Sequence, residues 1–178
     1  GNLIYLSKPL GTGYLLAAYF QNSKLLSVSD FEKLLKYLKT GNDLAAKSGF
    51  SCGSQLMTDI SGFGLASHLG DICQSSNLSA QIQLNNDILI NDKLEILKNF
   101  ESSGYKNNYL SSFNSIDIKE SHLLNKIIFD PQTNGPLLIS IDKEKKNEFE
   151  NNFEKNYLMK PLLIGEFIKQ KEKLIYFE

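Results

Sequence analysis

Asp59 stands alone among uncharged residues in the stretch Met57–Gly64, which reads MTDISGFG. Two glycines, Gly62 and Gly64, follow it, and Leu65, Leu69, Ile72 and Cys73 then recur at helical spacing. This is the pattern of a strand end, a tight glycine loop and a helix N-terminus. Such a junction offers backbone N–H groups and the positive end of a helix dipole, and both favour phosphate. A carboxylate beside phosphates is useful chiefly when a hard cation such as Mg²⁺ lies between them. The alternative is structural: a glycine turn in which Asp59 caps the helix that follows or stays solvated. The local pattern leaves both readings open.

A second strand–glycine loop–helix passage opens the chain. Leu3–Leu6 (LIYL) reads as a buried strand, KPLGTG at Lys8–Gly13 breaks it, and Tyr14–Phe20 reads as a helix. Lys8 either reaches a phosphate or is a solvated charge at the strand end. All 19 cationic side chains are lysines, so no arginine fork is available for bidentate phosphate recognition. Backbone N–H groups, lysine or a metal must do any such work. Cys52 and Cys73 form no disulfide framework; Cys73 reads as core and Cys52 as part of a Ser/Gly loop. His68, beside an apolar stripe, reads as a packed or surface residue.

The elements that must position these groups follow from the rest of the 178 residues. Ser29 and Glu32 have the spacing of a capping box, and Phe31, Leu34, Leu35 and Leu38 continue a helix. The segment SGFSCGSQ, residues 48–55, reads as a loop. Strands are expected at Leu78–Leu84, Leu137–Ile141, Leu162–Ile168 and Leu174–Phe177, and helices at Asn91–Glu101, Ser121–Ile128 and Lys143–Lys155. The polar, Asn-rich run at residues 104–115 reads as a surface loop. Asp130–Pro136 is a run of turn formers. One α+β domain with a mixed β-sheet and packed helices is the expected fold. The sheet is expected to bring both glycine loops to one edge.

The formal charge of −1 gives no global field to recruit nucleic acid or an anionic membrane, and neither is expected as a partner. No apolar run approaches the roughly 18 residues of a membrane span. With no signal-peptide pattern and no disulfide framework, a reducing, cytoplasmic compartment is the expectation.

Three motifs stand in order: KPLGTG at Lys8–Gly13, TDISGFG at Thr58–Gly64 and DPQTNG at Asp130–Gly135. With Asn108 and the IGEF run at Ile164–Phe167, they resemble the C-terminal domain of the selenophosphate synthetases, within the aminoimidazole ribonucleotide synthase superfamily. The resemblance spans essentially the whole chain. It implies that residues 1–178 are one C-terminal domain of a longer enzyme whose N-terminal ATP-binding domain lies outside this sequence, and that the enzyme is a homodimer. It also implies a reaction in which ATP, selenide and water give selenophosphate, phosphate and AMP with Mg²⁺.

By the same resemblance, Asp59 is a metal-binding residue, Thr58, Gly62, Gly64, Asn108 and Thr133 serve the nucleotide, and the domain supplies dimer and active-site walls. No catalytic nucleophile falls in this sequence, and Cys52 and Cys73 do not take that role. The family's DPQTSGG is DPQTNGP here, so Pro136 lacks an N–H where glycine is usual. Two other readings stand beside this one: another ATP-dependent synthase or kinase of the superfamily, such as a thiamine-phosphate kinase, and a non-catalytic binding or dimerisation module.

Overall fold

In the strand β1 (Leu3–Leu6), successive side chains enter different cores: Ile4 and Leu6 pack on one side, Tyr5 on the other. The strand must therefore be covered on both faces. The computed structural model describes residues 1–91, 94–118, 123–157 and 159–177. Its sheet comprises β1, β2 (Met57–Asp59), β3 (Leu78–Ile82), β4 (Ile116–Asp117), β5 (Leu137–Ile141), β6 (Leu162–Lys169) and β7 (Ile175–Phe177). Their spatial order is β2-β5-β1-β6-β3-β7-β4. The pairs at the β2 end are antiparallel, while β7 runs parallel to both β3 and β4. The expected mixed α+β architecture is therefore observed, with every expected strand in one sheet.

One face is closed by α3 (Asp43–Ser51) and α7 (Lys146–Tyr157), where Tyr5, Ile139, Ile141, Phe149 and Phe153 form a small core. The larger core, on the other face, takes α1 (Thr12–Gln21) and α4 (Gly64–Ser76) through Leu15, Ala18, Leu65, Leu69 and Cys73. Burial pushes the Cys73 thiol up to about 12, so it behaves as a small apolar group. Both cysteines are free and buried. Among the described residues no helix is long and apolar enough to cross a membrane.

Several local expectations are corrected. The capping box of α2 (Val28–Lys39) is Ser27 with Asp30, not Ser29 with Glu32. Asp30 reaches back to the Ser27 N–H at 3.0 Å and takes its hydroxyl at 2.6 Å, so the helix starts earlier and Ser29 and Glu32 lie inside it. Residues 48–51 of the expected loop belong to α3, leaving Cys52 at its C-cap. The expected surface loop at 104–115 contains a helix, α6 (Tyr105–Ser112). Its Asn and Ser content disfavours helix, but tertiary contact overrides propensity: Tyr105 and Tyr109 meet Phe129 edge-on, and Asn108 is buried.

Residues 123–129 form a 3-10 turn where a helix over Ser121–Ile128 was expected, with 121 and 122 outside the described residues. Of the helix expected over Asn91–Glu101, α5 (Leu94–Asn99) is observed, and 92 and 93 lie outside the described residues.

Candidate functional site

Asp59 ends β2, which lies at one edge of the sheet, and its side chain is exposed. Among the described residues its carboxylate has no hydrogen-bond or ion-pair partner. The helix-cap reading does not hold: the N-cap of α4 is Phe63, and no side chain caps it. One unpartnered carboxylate can donate a single oxygen to a hard cation. No cluster of three metal-ligating side chains occurs among the described residues. Asp59 thus fits a cation whose remaining ligands come from phosphates and water.

The loop after Asp59 is fixed peptide by peptide. The Ile60 N–H donates to the Pro136 carbonyl at 2.8 Å. The Ser61 N–H points at His68 Nε2 at 3.3 Å, and the Ser61 carbonyl accepts from the Gln132 N–H at 3.0 Å. The Gly62 carbonyl accepts from Asn108 Nδ2 at 2.9 Å. Gly64 then turns the chain with φ +74°, and a Cβ there would lie 2.8 Å from the Ile128 carbonyl oxygen. Gly62 and Phe63 remain exposed at the tip.

The run of turn formers at 130–136 joins the two glycine loops. Asp130, 1% exposed, accepts the Gly13 and Tyr14 N–H groups on Oδ2 and the Ser102 hydroxyl on Oδ1, so it caps α1. Burial raises its carboxyl to about 6 against these hydrogen bonds, which favour the charged form. Gln132 Oε1 accepts from Gly11 N, Thr12 N and Thr12 Oγ1, while its own N–H holds Ser61. Gly135 is required by close approach, since a Cβ would fall 2.1 Å from the Ile60 carbonyl oxygen. Both glycine loops therefore meet at one place, as expected.

Each sequence-derived site residue can now be placed. Thr58 is half-buried on β2, and Gly62 and Gly64 bracket the exposed tip. Asn108 is buried and spends its amide on the Gly62 and Phe129 carbonyls. Thr133 exposes its side chain, while its N–H is taken by Thr12 Oγ1 at 2.9 Å. Lys8 is neither solvated nor at the tip. It is 1% exposed, and its ammonium caps the end of α2 through the Thr40 carbonyl at 2.6 Å. Burial lowers its pKa to about 8.

The departure at DPQTNGP is absorbed by the same contacts. Asn134, in the left-handed region at φ +46°, donates to the Leu38 and Thr40 carbonyls. Pro136 is buried and uses only its carbonyl.

Three residues to which the sequence reading gave no part in the site prove to hold it: Asp130, Gln132 and His68. The first two stand inside a recognised motif. His68 carried no signal beyond lying seven residues after Ser61. Apart from this site, a cleft of about 410 Å³ is lined by Tyr105, Tyr109, Phe113, Phe129, Lys106 and Lys126. It contains none of the expected site residues.

Comparison with known proteins adds a family. The profile described as "AIR synthase related protein, C-terminal domain" matches residues 1–177. A selenide, water dikinase of Shewanella sp. (strain MR-7) is 33% identical over 149 residues, covering 83% of this chain and 42% of that protein. The Clostridioides difficile (strain 630) protein of the same name is 28% identical over 178 residues, covering 98% of this chain and 51% of its own length. The chain thus spans about half the length of these relatives.

Among solved structures, thiamine-monophosphate kinase from Stenotrophomonas maltophilia K279a superposes with a TM-score of 0.67 at 14% identity, over all of this chain and 50% of that one. Hydrogenase maturation protein HypE in complex with ATP superposes at 0.61 with 15% identity, over all of this chain and 47% of that one. At such identities the likeness is one of fold.

Proposed function

The chain belongs to the AIR synthase related protein, C-terminal domain family, and from that premise we propose that it is the C-terminal half of a selenide, water dikinase. The partner it needs is its own N-terminal ATP-binding domain, within a homodimer. The whole enzyme converts ATP, selenide and water to selenophosphate, phosphate and AMP in the cytoplasm. The observation that carries the reading is Asp59: an exposed, unpartnered carboxylate at the head of a loop whose peptide groups are held from Ile60 to Gly62. The names of the sequence relatives supply the acceptor.

Within that function Asp59 holds Mg²⁺, which when bound would offset the negative charge of the nucleotide phosphates. Gly62, exposed and with open space where a Cβ would stand, leaves room at the loop tip for phosphate to approach the backbone, and Gly64 turns the chain beneath it. Thr133, exposed where the two glycine loops meet, adds a hydroxyl, and Thr58 sets the strand end. Asn108 contributes by holding the Gly62 carbonyl in place. Pre-fixed polar groups of this kind stabilise charge that develops on phosphate without reorganising at the moment of reaction. The ATP-binding half is the partner this chain needs, so the chain alone is expected to be inactive.

AMP formation tests the proposal. The protein uniting this chain with an ATP-binding half is expected to release AMP from ATP only with selenide and Mg²⁺. The chain alone is expected to stay far below the ~1 s⁻¹ of ordinary enzymes. The thiamine-monophosphate kinase fold likeness supports a second reading, another kinase of the same superfamily. Thiamine monophosphate accepted in place of selenide, with ADP rather than AMP released, would decide for that reading.

A further inference from the structure

A backbone N–H can only donate. The Ser61 N–H is directed at His68 Nε2 at 3.3 Å, so that nitrogen must present a lone pair. The Ser61 hydroxyl lies 3.2 Å from the same nitrogen and, since Nε2 carries no proton, donates to it as well. We propose that His68, neutral and protonated on Nδ1, is a positioning residue that fixes the Ser61 peptide and thereby the bearing of Asp59. The inference rests on the reading of Asp59 as the metal-holding residue.

The position of His68 in the fold supports this role. It projects from the second turn of α4, whose N-terminus is the end of the same loop, so loop and clamp are parts of one rigid element. Besides the Ile60 N–H, which the Pro136 carbonyl holds, the other clamps on the loop hold carbonyls: Gln132 N–H on Ser61 and Asn108 Nδ2 on Gly62. His68 is the side chain that takes an N–H there, and the Phe63 ring, its centroid 6.3 Å away, flanks it. Without the imidazole, the Ser61 N–H loses its acceptor, and the peptide joining Ile60 to Ser61 is anchored only through its neighbours, the Ile60 N–H on Pro136 and the Ser61 carbonyl on Gln132. Asp59 lies two residues upstream; its backbone is paired with Leu137 in the sheet, while its carboxylate, without a partner among the described residues, would follow the change in the loop. A metal-holding carboxylate works only when its support holds it in place.

The test combines ¹⁵N NMR of this chain with two substitutions. The His68 resonances are expected to show Nε2 unprotonated and Nδ1 protonated at neutral pH. His68→Leu should speed hydrogen exchange of the Ser61 amide roughly tenfold, the equivalent of one lost hydrogen bond. In the protein carrying the ATP-binding half, it should raise the Mg²⁺ concentration for half-maximal turnover several-fold, with turnover at saturating Mg²⁺ largely kept. His68→Gln, whose side-chain oxygen can accept the same N–H, should restore both. A proton on Nε2, a Gln variant no better than Leu, or an unchanged Mg²⁺ requirement in His68→Leu would each overturn the proposal. The tautomer and the amide exchange do not depend on bound metal. A silent Asp59→Asn beside a responsive Ser61 amide would therefore remove the functional reading and leave the loop clamp standing.

Discussion

The Asp130 carboxylate accepts the Gly13 N–H at 3.1 Å across 117 residues of chain. The same oxygen takes the Tyr14 N–H, so the start of α1 is capped from another part of the sequence. A helix usually finds its cap one residue upstream. Here that place is Gly11, which has no side chain, and the distant carboxylate does the work. The contact ties the first glycine loop to the segment that also grips Ser61.

Asp130 gives a pH signature. Its carboxyl is raised from 3.8 to about 6 because burial outweighs four donated hydrogen bonds. A carboxyl raised in the fold prefers to be protonated there. Its contribution is therefore full below the unfolded value and is lost as pH rises through about 6. Measured against Asp130→Asn, wild-type stability should fall by about 3 kcal/mol between pH 3 and pH 7. A ¹³C carboxyl titration should show a midpoint near 6; a midpoint under 4 would mean that the donors win over burial.

Lys8 makes the opposite case for a residue that resembles a phosphate ligand. Its ammonium bonds the Thr40 carbonyl and sits buried beneath the loop. Lys8→Met should cost about 1–3 kcal/mol through the carbonyls left unpaired. ATP turnover per folded molecule should be unaffected. Because its pKa is lowered to about 8, wild-type stability relative to this variant should weaken as pH falls through 8. Normal denaturation with lost nucleotide affinity would return Lys8 to the phosphate.

Asn108 separates support from contact. Its amide donates to two carbonyls, Gly62 at 2.9 Å and Phe129 at 3.0 Å. Asp in its place cannot donate when ionised and sets negative charge against both carbonyl oxygens. Asn108→Asp should therefore lower stability by about 2–5 kcal/mol without nucleotide present. Thermal or urea denaturation reads this directly. A variant of wild-type stability that has lost only nucleotide affinity would show that Asn108 touches the ligand instead.

The small core offers a calibration away from the site. Phe153 is fully buried against Phe149 and Tyr157. Phe153→Ala should cost about 3–5 kcal/mol in urea denaturation. A loss under 1 kcal/mol would mean that α7 does not pack on the sheet as described.

Much of this was legible in the sequence because the strands carry their own signal. The bounds of β1 and β5 are those read from LIYL and LLISI, whose apolar runs report burial on both faces. The strand end at Asp59 and the turn at Gly64 were legible as well, since a lone charge followed by two glycines breaks an uncharged stretch. What the sequence hid was set by distant contacts. The residues of α6 look like a loop until Phe129 and the Gly62 carbonyl are brought to them. Lys8 looks solvated until the end of α2 arrives above it. Ser27–Asp30 and Ser29–Glu32 satisfy the same capping rule, and the reach of the Asp30 side chain chose between them.

The central claim is that Asp59 holds a metal and does nothing for the fold. The measurement is Asp59→Asn in the protein that unites this chain with its ATP-binding half, followed as AMP formation across a Mg²⁺ titration and as melting temperature. The amide is nearly isosteric but a poor ligand for Mg²⁺, and among the described residues the carboxylate makes no hydrogen bond or ion pair that its loss could break. AMP formation should collapse at every Mg²⁺ concentration while the melting temperature stays within about 1 °C of wild type. Near-normal AMP formation by Asp59→Asn across the titration would contradict the account.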